Sequence, residues 1–304
     1  MPKKRCCVFT FVKNEKIFLP IWLKYYSRFF DKDDIYVLDH GTDDGSVQEC
    51  SKHYGFKVIK LHHEVYDEIW RTGVVCQKQT ELLQSYEYVL FTDADEIIIP
   101  NPGKYKDLKD YILRCAEDCV VCAGHELIHI RQKEPPIDLS KPILNQREYW
   151  YPNHFYDKPL LARKPLVWAH GFHNAVNMGG YRDKDLWLLH LHKMDYDLCW
   201  DKHKSALNYK WNDECVRQNL GFQFRINNVA DFKKYFDTRH PDYKELRIGR
   251  WWHFIRLSFL KAWTKAWIKA WILKKGSLCD WSEKGFNFVR ITRIPGTLLR
   301  NQTV

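Results

Sequence analysis

The chain has 304 residues, which suffices for one large domain or two small ones. Hydrophobic residues make up 45% of it and charged residues 28%, a composition that excludes a wholly disordered chain and a polytopic membrane protein. The 48 Lys and Arg outnumber the 38 Asp and Glu and give a net charge of +10, which favours an anionic partner: a phosphorylated substrate, an acidic membrane surface or a nucleic acid.

The beginning of the chain is basic but lacks an apolar stretch as long as that of a signal peptide. No window of about 18 uncharged apolar residues occurs, so we expect no transmembrane helix. The ten cysteines do not form paired zinc spacings, and the cluster of Cys115, Cys119 and Cys122 is interpreted as buried structural thiols. We therefore expect a reduced protein in the cytoplasm.

The first 130 residues alternate between strand and helix patterns. Apolar runs predict strands at 6–12, 35–38, 56–61 and 88–91, and helical spacing predicts helices over 18–29, from a cap at Ser46 to about 55, and over 74–84. Strands separated by helices imply βαβ units. The predicted fold class is therefore α/β, with a mostly parallel sheet flanked by helices.

Ligands of such sheets bind at the carboxyl ends of the strands. Three polar segments occupy those positions here: residues 13–15, 39–45 and 93–96. Neither a G-x-G-x-x-G nor a Walker A pattern occurs, which disfavours a dinucleotide dehydrogenase and a P-loop NTPase.

Asp93 and Asp95 are the strongest candidates for chemistry. In extended geometry both side chains point to one side, and two carboxylates so placed are costly unless a cation is bound. Mg²⁺ or Mn²⁺ suits them, because these ions bind through one or two carboxylates plus substrate phosphates. The alternative is a solvated acidic turn, but the apolar residues on both sides, at 88–91 and 97–99, favour a metal site.

Asp39 ends a predicted strand, and Gly41 and Gly45 follow it. Glycines permit a tight turn with close approach of a ligand, so the Asp39 carboxylate could accept hydrogen bonds from a base or ribose. The alternative is a loop in which the aspartates cap the next helix.

A second group of candidates lies further along the chain. As a strand, residues 186–193 place His190 and His192 on one face, where they could complete the coordination of a metal or touch a diphosphate. A lone histidine is more often structural. Residues 170–173 contain a similar histidine pair, and Lys158 could pair with a phosphate.

These motifs together resemble the family-2-like glycosyltransferases of the GT-A fold. The resemblance rests on residues 12–15, 21–23, 36–46 and 91–96, with looser matches at 158–159, 170–173 and 189–190. It implies a GT-A domain over residues 1–240, with a nucleotide-sugar half at 1–100 and an acceptor half at 101–240.

The resemblance also implies roles for particular residues. Asp93 and Asp95 would hold Mn²⁺ or Mg²⁺ on the diphosphate of the nucleotide sugar, and Asp39 would contact the nucleoside. The other candidates fall into three groups. His190 and His192 are candidate metal ligands, and Glu126 and Asp138 are candidates for the catalytic base. The candidates for donor binding are Lys13, Asn14, Glu15, Arg71 and Lys158. The acidic pair that supplies this base in many inverting members is not found, so the stereochemistry stays open.

Residues 241–304 form a basic, Trp-rich tail. Between 250 and 275 there are seven Lys or Arg and no acid, and Trp263, Trp267 and Trp271 recur every four residues. On a helix they form one stripe opposite a stripe of lysines, which predicts an amphipathic helix lying on anionic lipid. The alternative is that the Trp stripe packs on the catalytic domain.

The sequence therefore predicts a cytoplasmic glycosyltransferase, peripheral on the inner face of a membrane. It would move a sugar from a nucleotide-sugar donor to an envelope glycan or lipid-linked acceptor. A metal-dependent nucleotidyltransferase or phosphoesterase could use the same carboxylates. A nucleic-acid-binding protein is disfavoured, because the basic charge is concentrated in the tail and no recognisable nucleic-acid motif occurs.

Overall fold

The computed structural model describes residues 2–237 and 292–294. Within these ranges a mixed sheet is flanked by helices. Its strands are β1 Lys4–Val12, β2 Ile35–Asp39, β3 Lys57–Lys60, β4 Tyr86–Phe91, β5 Glu96–Pro100, β6 Cys119–Leu127, β7 Tyr149–Pro152, β8 Pro159–Ala162, β9 Tyr181–His190 and β10 Thr292–Arg293.

The helices alternate with the first strands and then cluster late in the described chain. They are α1 Phe18–Tyr26, α2 Ser46–His53, α3 Glu68–Leu82, α4 Leu108–Arg114, α5 Tyr196–Leu207, α6 Asp213–Arg217 and α7 Val229–Asp237. Short 3₁₀ segments cover Lys32–Asp34, Ile143–Asn145, His154–Tyr156, His170–Phe172 and Phe222–Arg225.

The strand order is β10-β7-β6-β8-β4-β1-β2-β3, and β9 pairs with β5 and β6 off this path. The pairs among β1, β2, β3 and β4 are parallel, and so is β6 with β9. The remaining pairs are antiparallel. The predicted α/β class is confirmed, and the antiparallel strands belong to the second half of the sheet.

The central strand β1 is buried along almost its whole length, from Cys6 to Val12. A strand covered by helices on both faces needs apolar side chains in both directions, which explains its continuous rather than alternating hydrophobicity. In the register, Val12 pairs with Asp39 and Asp39 with Lys60. The carboxyl ends of β1, β2 and β3 therefore lie side by side.

One predicted helix start and one predicted helix cap are wrong. Helix α3 begins at Glu68, six residues before the predicted position, because the Asp67 carboxylate accepts hydrogen bonds from the first free backbone N–H groups, those of Ile69 and Trp70. Helix α2 begins at Ser46 itself. Its side chain makes no cap, and Asp44 accepts the hydrogen bond from the Ser46 N–H at 2.9 Å.

Strand β9 ends at His190, so His192 lies beyond the predicted strand rather than within it. Cys119 and Cys122 are buried free thiols of β6, as predicted, whereas Cys115 is a free thiol that is only half-buried. The predicted helix over residues 250–275 lies outside the described residues. Of the helices that the structure describes, none has both the length and the apolar character to cross a bilayer.

Candidate active site

The two candidate metal-binding aspartates lie in the turn that joins β4 to β5. The Glu96 N–H donates to the carbonyl of Asp93 at 3.0 Å, which closes the turn. The extended geometry predicted for Asp93 and Asp95 is therefore wrong. Each carboxylate has its own set of partners.

Asp93 lies between two cations, the buried Lys158 and the largely buried Arg71. One carboxylate oxygen pairs with the Arg71 guanidinium, and the other is 3.0 Å from Lys158 Nζ. Each cation also has a second acid: Arg71 pairs with Glu68 at 3.0 Å, and Lys158 pairs with Glu96 at 2.5 Å. This group of five side chains holds both cations in fixed positions.

Charge compensation keeps Asp93 and Lys158 ionised in spite of their burial. Burial alone would raise the pKa of Asp93, but Arg71 and Lys158 outweigh it and hold the pKa below its usual range. Burial alone would lower the pKa of Lys158, but Glu96 and Asp93 outweigh it and raise that pKa. The pKa of Glu96 is raised, chiefly by burial. Lys158 is therefore a buried, permanently charged group and not a surface lysine.

Asp95 faces histidines instead. Its Oδ2 lies 3.3 Å from His190 Nε2 and 3.4 Å from His192 Nδ1. The other ring nitrogen of His190, Nδ1, is 2.7 Å from Glu126 Oε1. Burial opposes the charge on His190, but Glu126 and Asp95 more than offset it and raise its pKa to about 10. Although His192 lies beyond the strand, both histidines reach the site, as the sequence suggested.

Aromatic packing fixes the orientation of the His190 ring. The Tyr156 ring stacks on it with centroids 3.9 Å apart and planes 22° from parallel. Gly124 of β6 allows this approach, because a Cβ there would overlap the backbone and side chain of Tyr156. His190 is thus held by two carboxylates and one ring.

The two base candidates fare differently. Glu126 pairs with His190 across β6 and β9. The charge on His190 outweighs the effect of burial and holds the pKa of Glu126 below its usual range. Glu126 therefore orients His190 instead of lying free to accept a proton. Asp138 has local partners, Ser140 and Lys141, which lower its pKa to about 2. A carboxyl with so low a pKa is a poor base. The structure disfavours Asp138 in that role.

The segment after β1 is tied to the loop after β2, as the strand-end rule predicted. Lys13 Nζ donates to the carbonyl of His40 at 2.9 Å. Asn14, with a positive φ of 55°, exchanges two hydrogen bonds with Asp43 at 2.8 and 2.9 Å. These contacts bring two of the three predicted polar segments together.

Lys202 of α5 supports the same segment and was not predicted from the sequence. Its Nζ donates to the Asn14 carbonyl at 2.9 Å and lies 2.5 Å from Glu15 Oε1. Burial raises the pKa of Glu15 to about 7, and Lys202 offsets part of that rise. Lys202 and Glu15 are far apart in sequence, so no local pattern could have identified the pair.

Asp39 is fully buried and has a partner on each oxygen. Oδ2 lies 2.8 Å from Lys60 Nζ, and Oδ1 accepts from the Thr42 N–H at 2.8 Å. These bonds outweigh burial and lower the pKa of Asp39. Lys60 covers the carboxylate, but its side chain is 56% exposed. A nucleoside would therefore reach Asp39 by displacing Lys60.

The Asp95 side of the turn offers ligand atoms that fit a divalent cation. A carboxylate oxygen and His190 Nε2 lie 3.3 Å apart, and Glu126 binds the other nitrogen of the same ring. Metal-ligating histidines ordinarily have such a carboxylate on their second nitrogen. Asp93 fits an ion less well, because both of its oxygens contact cations of the chain.

Several residues of the site were missed by sequence reasoning: Glu68, Glu96, Tyr156, Lys60 and Lys202. Glu96 directly follows the aspartates, and its position in that motif was a usable signal. Of the weaker histidine pair, His170 lies 3.4 Å from Thr72 Oγ1, and His173 contacts the Phe155 carbonyl.

Comparisons with known proteins complete the description. No protein-family profile matches the chain, and no curated protein sequence matches it. Among solved structures, it is similar to TarS 1-349 of S. aureus, with 16% identity, 80% of this chain and 77% of that chain covered, and a TM-score of 0.35.

A second similar structure is the mannosyltransferase PcManGT from Pyrobaculum calidifontis in complex with GDP-Man and Mn²⁺. Its identity is 12%, with 90% of this chain and 86% of that chain covered, and its TM-score is 0.34. Glucosyl-3-phosphoglycerate synthase from Mycobacterium tuberculosis is 18% identical over 31% of this chain and 34% of that chain, with a TM-score of 0.25. The function of this chain is therefore inferred from its own residues.

Proposed function

We propose that this protein is a divalent-metal-dependent glycosyltransferase that moves a sugar from a nucleotide-sugar donor to an envelope glycan or lipid-linked acceptor. The observation that carries the proposal is the turn after β4. It presents one carboxylate to two buried cations and a second carboxylate to two histidines. Departure of a nucleoside diphosphate needs both features, because negative charge develops on the leaving group.

Asp95 and His190 are the proposed metal ligands, and on binding the ion would replace the Nε2 proton of His190, which passes to solvent. The mixed oxygen and nitrogen set favours Mn²⁺ over Mg²⁺, which prefers oxygen ligands alone. The bound ion would neutralise charge on the diphosphate. Glu126 holds the His190 ring through Nδ1. His192 Nδ1 lies 3.4 Å from Asp95 Oδ2 and helps to orient that carboxylate.

Arg71 and Lys158 are the proposed diphosphate-binding side chains of the protein. Their contacts with Asp93 keep both positive groups at one place before the donor arrives. Such preorganisation lets the groups stabilise developing charge without first moving into position. Asp93 therefore supports donor binding through these cations in this proposal.

The nucleoside is proposed to lie along the ends of β1 and β2. Lys13, Asn14 and Glu15 form one wall, held by Lys202, and Asp39 lies at the end of the neighbouring strand. Asp39 contacts the base or ribose in this arrangement after Lys60 moves aside.

Release of free nucleoside diphosphate tests the proposal directly. The full chain is incubated with a panel of nucleotide sugars, with Mn²⁺ or with EDTA, and the products are separated by chromatography. We expect one donor to raise the melting temperature and to yield nucleoside diphosphate only with the metal. The matched controls are Asp95→Asn, which loses the activity, and Asp138→Asn, which keeps it. Pyrophosphate or inorganic phosphate as product would instead assign a nucleotidyltransferase or phosphoesterase to the same carboxylates.

The tail is proposed to bind an anionic membrane surface on the cytoplasmic side. Support comes from the sequence pattern of Trp263, Trp267 and Trp271, because residues 250–275 lie outside the described ranges. The full chain should sediment with phosphatidylglycerol vesicles at low salt, and the triple Trp→Ser variant should stay in solution with an unchanged melting temperature. If the wild type does not bind vesicles and the triple variant has a lower melting temperature, the tryptophans pack on the domain instead.

A further inference from the structure

A second group of metal-ligand side chains joins α5 to the segment after β9. His192 follows the end of β9, and Cys199 and His203 are four residues apart on α5. Residues at that spacing project from one face of a helix. Ligand atoms of the three side chains all lie within 4.8 Å of one another, and all three residues are buried.

The histidine contact has the spacing of two ligands on one ion. His192 Nε2 and His203 Nε2 are 3.1 Å apart. Two nitrogens at about 2.0–2.1 Å from a tetrahedral ion would be separated by a similar distance. The same ring of His192 points its Nδ1 toward Asp95 Oδ2, at 3.4 Å. A carboxylate on one imidazole nitrogen and a metal on the other is a recurrent arrangement.

His203 lies among aromatic rings. His203 is completely buried, and among the described residues its Nδ1 has no hydrogen-bond partner. Its surroundings are aromatic, with the Phe232 and Tyr235 rings centred 4.8 and 5.3 Å from its own. Because Nδ1 has no partner, the contact with His192 Nε2 is the polar contact of the His203 ring among the described residues, and Nε2 is the atom that can bind the ion.

We propose that His192, Cys199 and His203 bind a zinc ion that is distinct from the ion at Asp95. Two imidazoles and a thiolate are soft and borderline ligands, which select Zn²⁺ and reject Mg²⁺ and Mn²⁺. Three protein ligands leave the fourth tetrahedral position for a water molecule. On binding, the Cys199 thiol loses its proton to solvent and the thiolate takes the metal.

The ion would act on the donor-binding segment through α5. Lys202 lies between the two helix ligands in sequence and holds Asn14 and Glu15. Fixing Cys199 and His203 to His192 therefore fixes the helix that supports the wall of the nucleoside pocket. Because His192 also touches Asp95, the zinc site and the turn after β4 share one side chain.

Cobalt substitution tests the site independently of activity. The full-length chain is stripped of metal and titrated with Co²⁺ while the absorption spectrum is recorded. We expect one equivalent to produce the intense visible bands of a tetrahedral ion and a near-ultraviolet thiolate-to-cobalt charge-transfer band. Stoichiometric Zn²⁺ should abolish both. An ion held at Asp95 and His190 cannot give a thiolate band, so the readout separates the two metal sites.

Three variants complete the experiment. Cys199→Ser should lose the charge-transfer band, and Cys50→Ser, which alters a buried cysteine of α2, should keep it. His203→Gln should retain the thiolate but weaken cobalt binding at least about tenfold. If Cys199→Ser does not fold, the wild-type spectrum and His203→Gln still decide. Saturation of the wild type with Co²⁺ and no thiolate band, or a band that survives Cys199→Ser, would overturn the proposal.

The zinc proposal stands apart from the proposed glycosyl transfer. A protein that transfers no sugar but shows the thiolate band would keep the zinc site and lose the proposed function. An active protein with no such band would do the reverse.

Discussion

Asp93 and Asp95 are separated by one residue in a single turn, yet the two sides of that turn differ in kind. The Asp93 side consists of permanent cations, Arg71 from α3 and Lys158 next to β8. The Asp95 side consists of His190 and His192, from the end of β9 and the segment after it. The same type of acid therefore serves two purposes: one carboxylate orders positive side chains, and the other offers ligand atoms.

Part of the difference follows from the sheet. Arg71 comes from the parallel half, whereas Lys158 and the histidines come from the half that contains antiparallel strands. The β4–β5 turn lies where the two halves meet, because β5 pairs with β9 while β4 pairs with β1. A site built from both halves can hold fixed charge and exchangeable metal next to each other.

The largest expected effect is on catalysis by Asp95→Asn. Loss of the ligand charge should weaken Mn²⁺ binding and lower turnover at least about 100-fold. Removal of a residue that only orients a metal ligand costs up to about 100-fold, and Asp95 is proposed to be a ligand itself. Turnover measured across a Mn²⁺ titration gives both quantities. Near wild-type activity at limiting Mn²⁺ would remove Asp95 from the metal site.

Asp93→Asn should differ from Asp95→Asn in stability. The substitution leaves Arg71 and Lys158 buried with less compensating charge, and breaking a buried pair costs about 3–5 kcal/mol. The expected result is a lower midpoint of urea unfolding together with a raised donor KM, and little change in Mn²⁺ affinity. Equal losses of Mn²⁺ affinity in both variants would show that the two sides of the turn are not distinct.

Glu126→Gln sharpens the description of the Asp95 side. Gln can still hydrogen-bond His190 Nδ1 but carries no charge, so it orients the ring less firmly and makes Nε2 a weaker donor to the ion. Removal of such an orienting group should cost about 10–100-fold in metal affinity. Isothermal titration with Mn²⁺ measures it. An unchanged affinity would mean that His190 does not ligate the ion.

Asp39→Ala addresses the donor rather than the metal. Removal of hydrogen bonds that bind ground and transition states equally should raise the donor KM, by about tenfold, and leave kcat unchanged. Steady-state kinetics separate the two constants. Lys60→Gln is the matched variant, because it uncovers the same carboxylate and should lower the donor KM. A lowered kcat with unchanged KM in Asp39→Ala would contradict the nucleoside role.

The first half of the chain was the more predictable from sequence, for physical reasons. Its strands are short apolar runs that end in polar turns, and the strand-end rule correctly brought Lys13 and Asn14 together with the loop after Asp39. The aspartates at 93 and 95 were found, but not the turn that divides their partners. Within the turn the Asp93 N–H donates to Glu96 Oε2, and Glu96 is held in place by Lys158, which is distant in sequence.

The partners contributed by the second half were harder to predict. Lys202 and Cys199 sit on a helix whose sequence gives no indication of Glu15 or His192, and Lys60 is an ordinary charged residue until the register places it opposite Asp39. Asp138 was selected because it is acidic, and its exposed surroundings give it local partners instead. Periodicity specifies elements, whereas partners across the sheet need the assembled fold.

His40, in the loop that Lys13 holds, should make stability depend on pH without affecting the metal or the donor. Burial lowers the pKa of His40 to about 4, with Lys13 adding to the effect and the His63 carbonyl opposing it. The unfolded chain, with a pKa near 6.5, binds the proton first as the pH falls. Stability is therefore fully present above about pH 6.5 and is lost progressively toward pH 4.

His40→Gln should reduce the slope of unfolding free energy against pH in that window by up to about 1.4 kcal/mol per pH unit. Urea unfolding at a series of pH values measures the slope, and His53→Gln, at an exposed position of α2, should leave it unchanged. Parallel curves for wild type and His40→Gln would show that His40 takes up its proton equally well in the folded and unfolded chains.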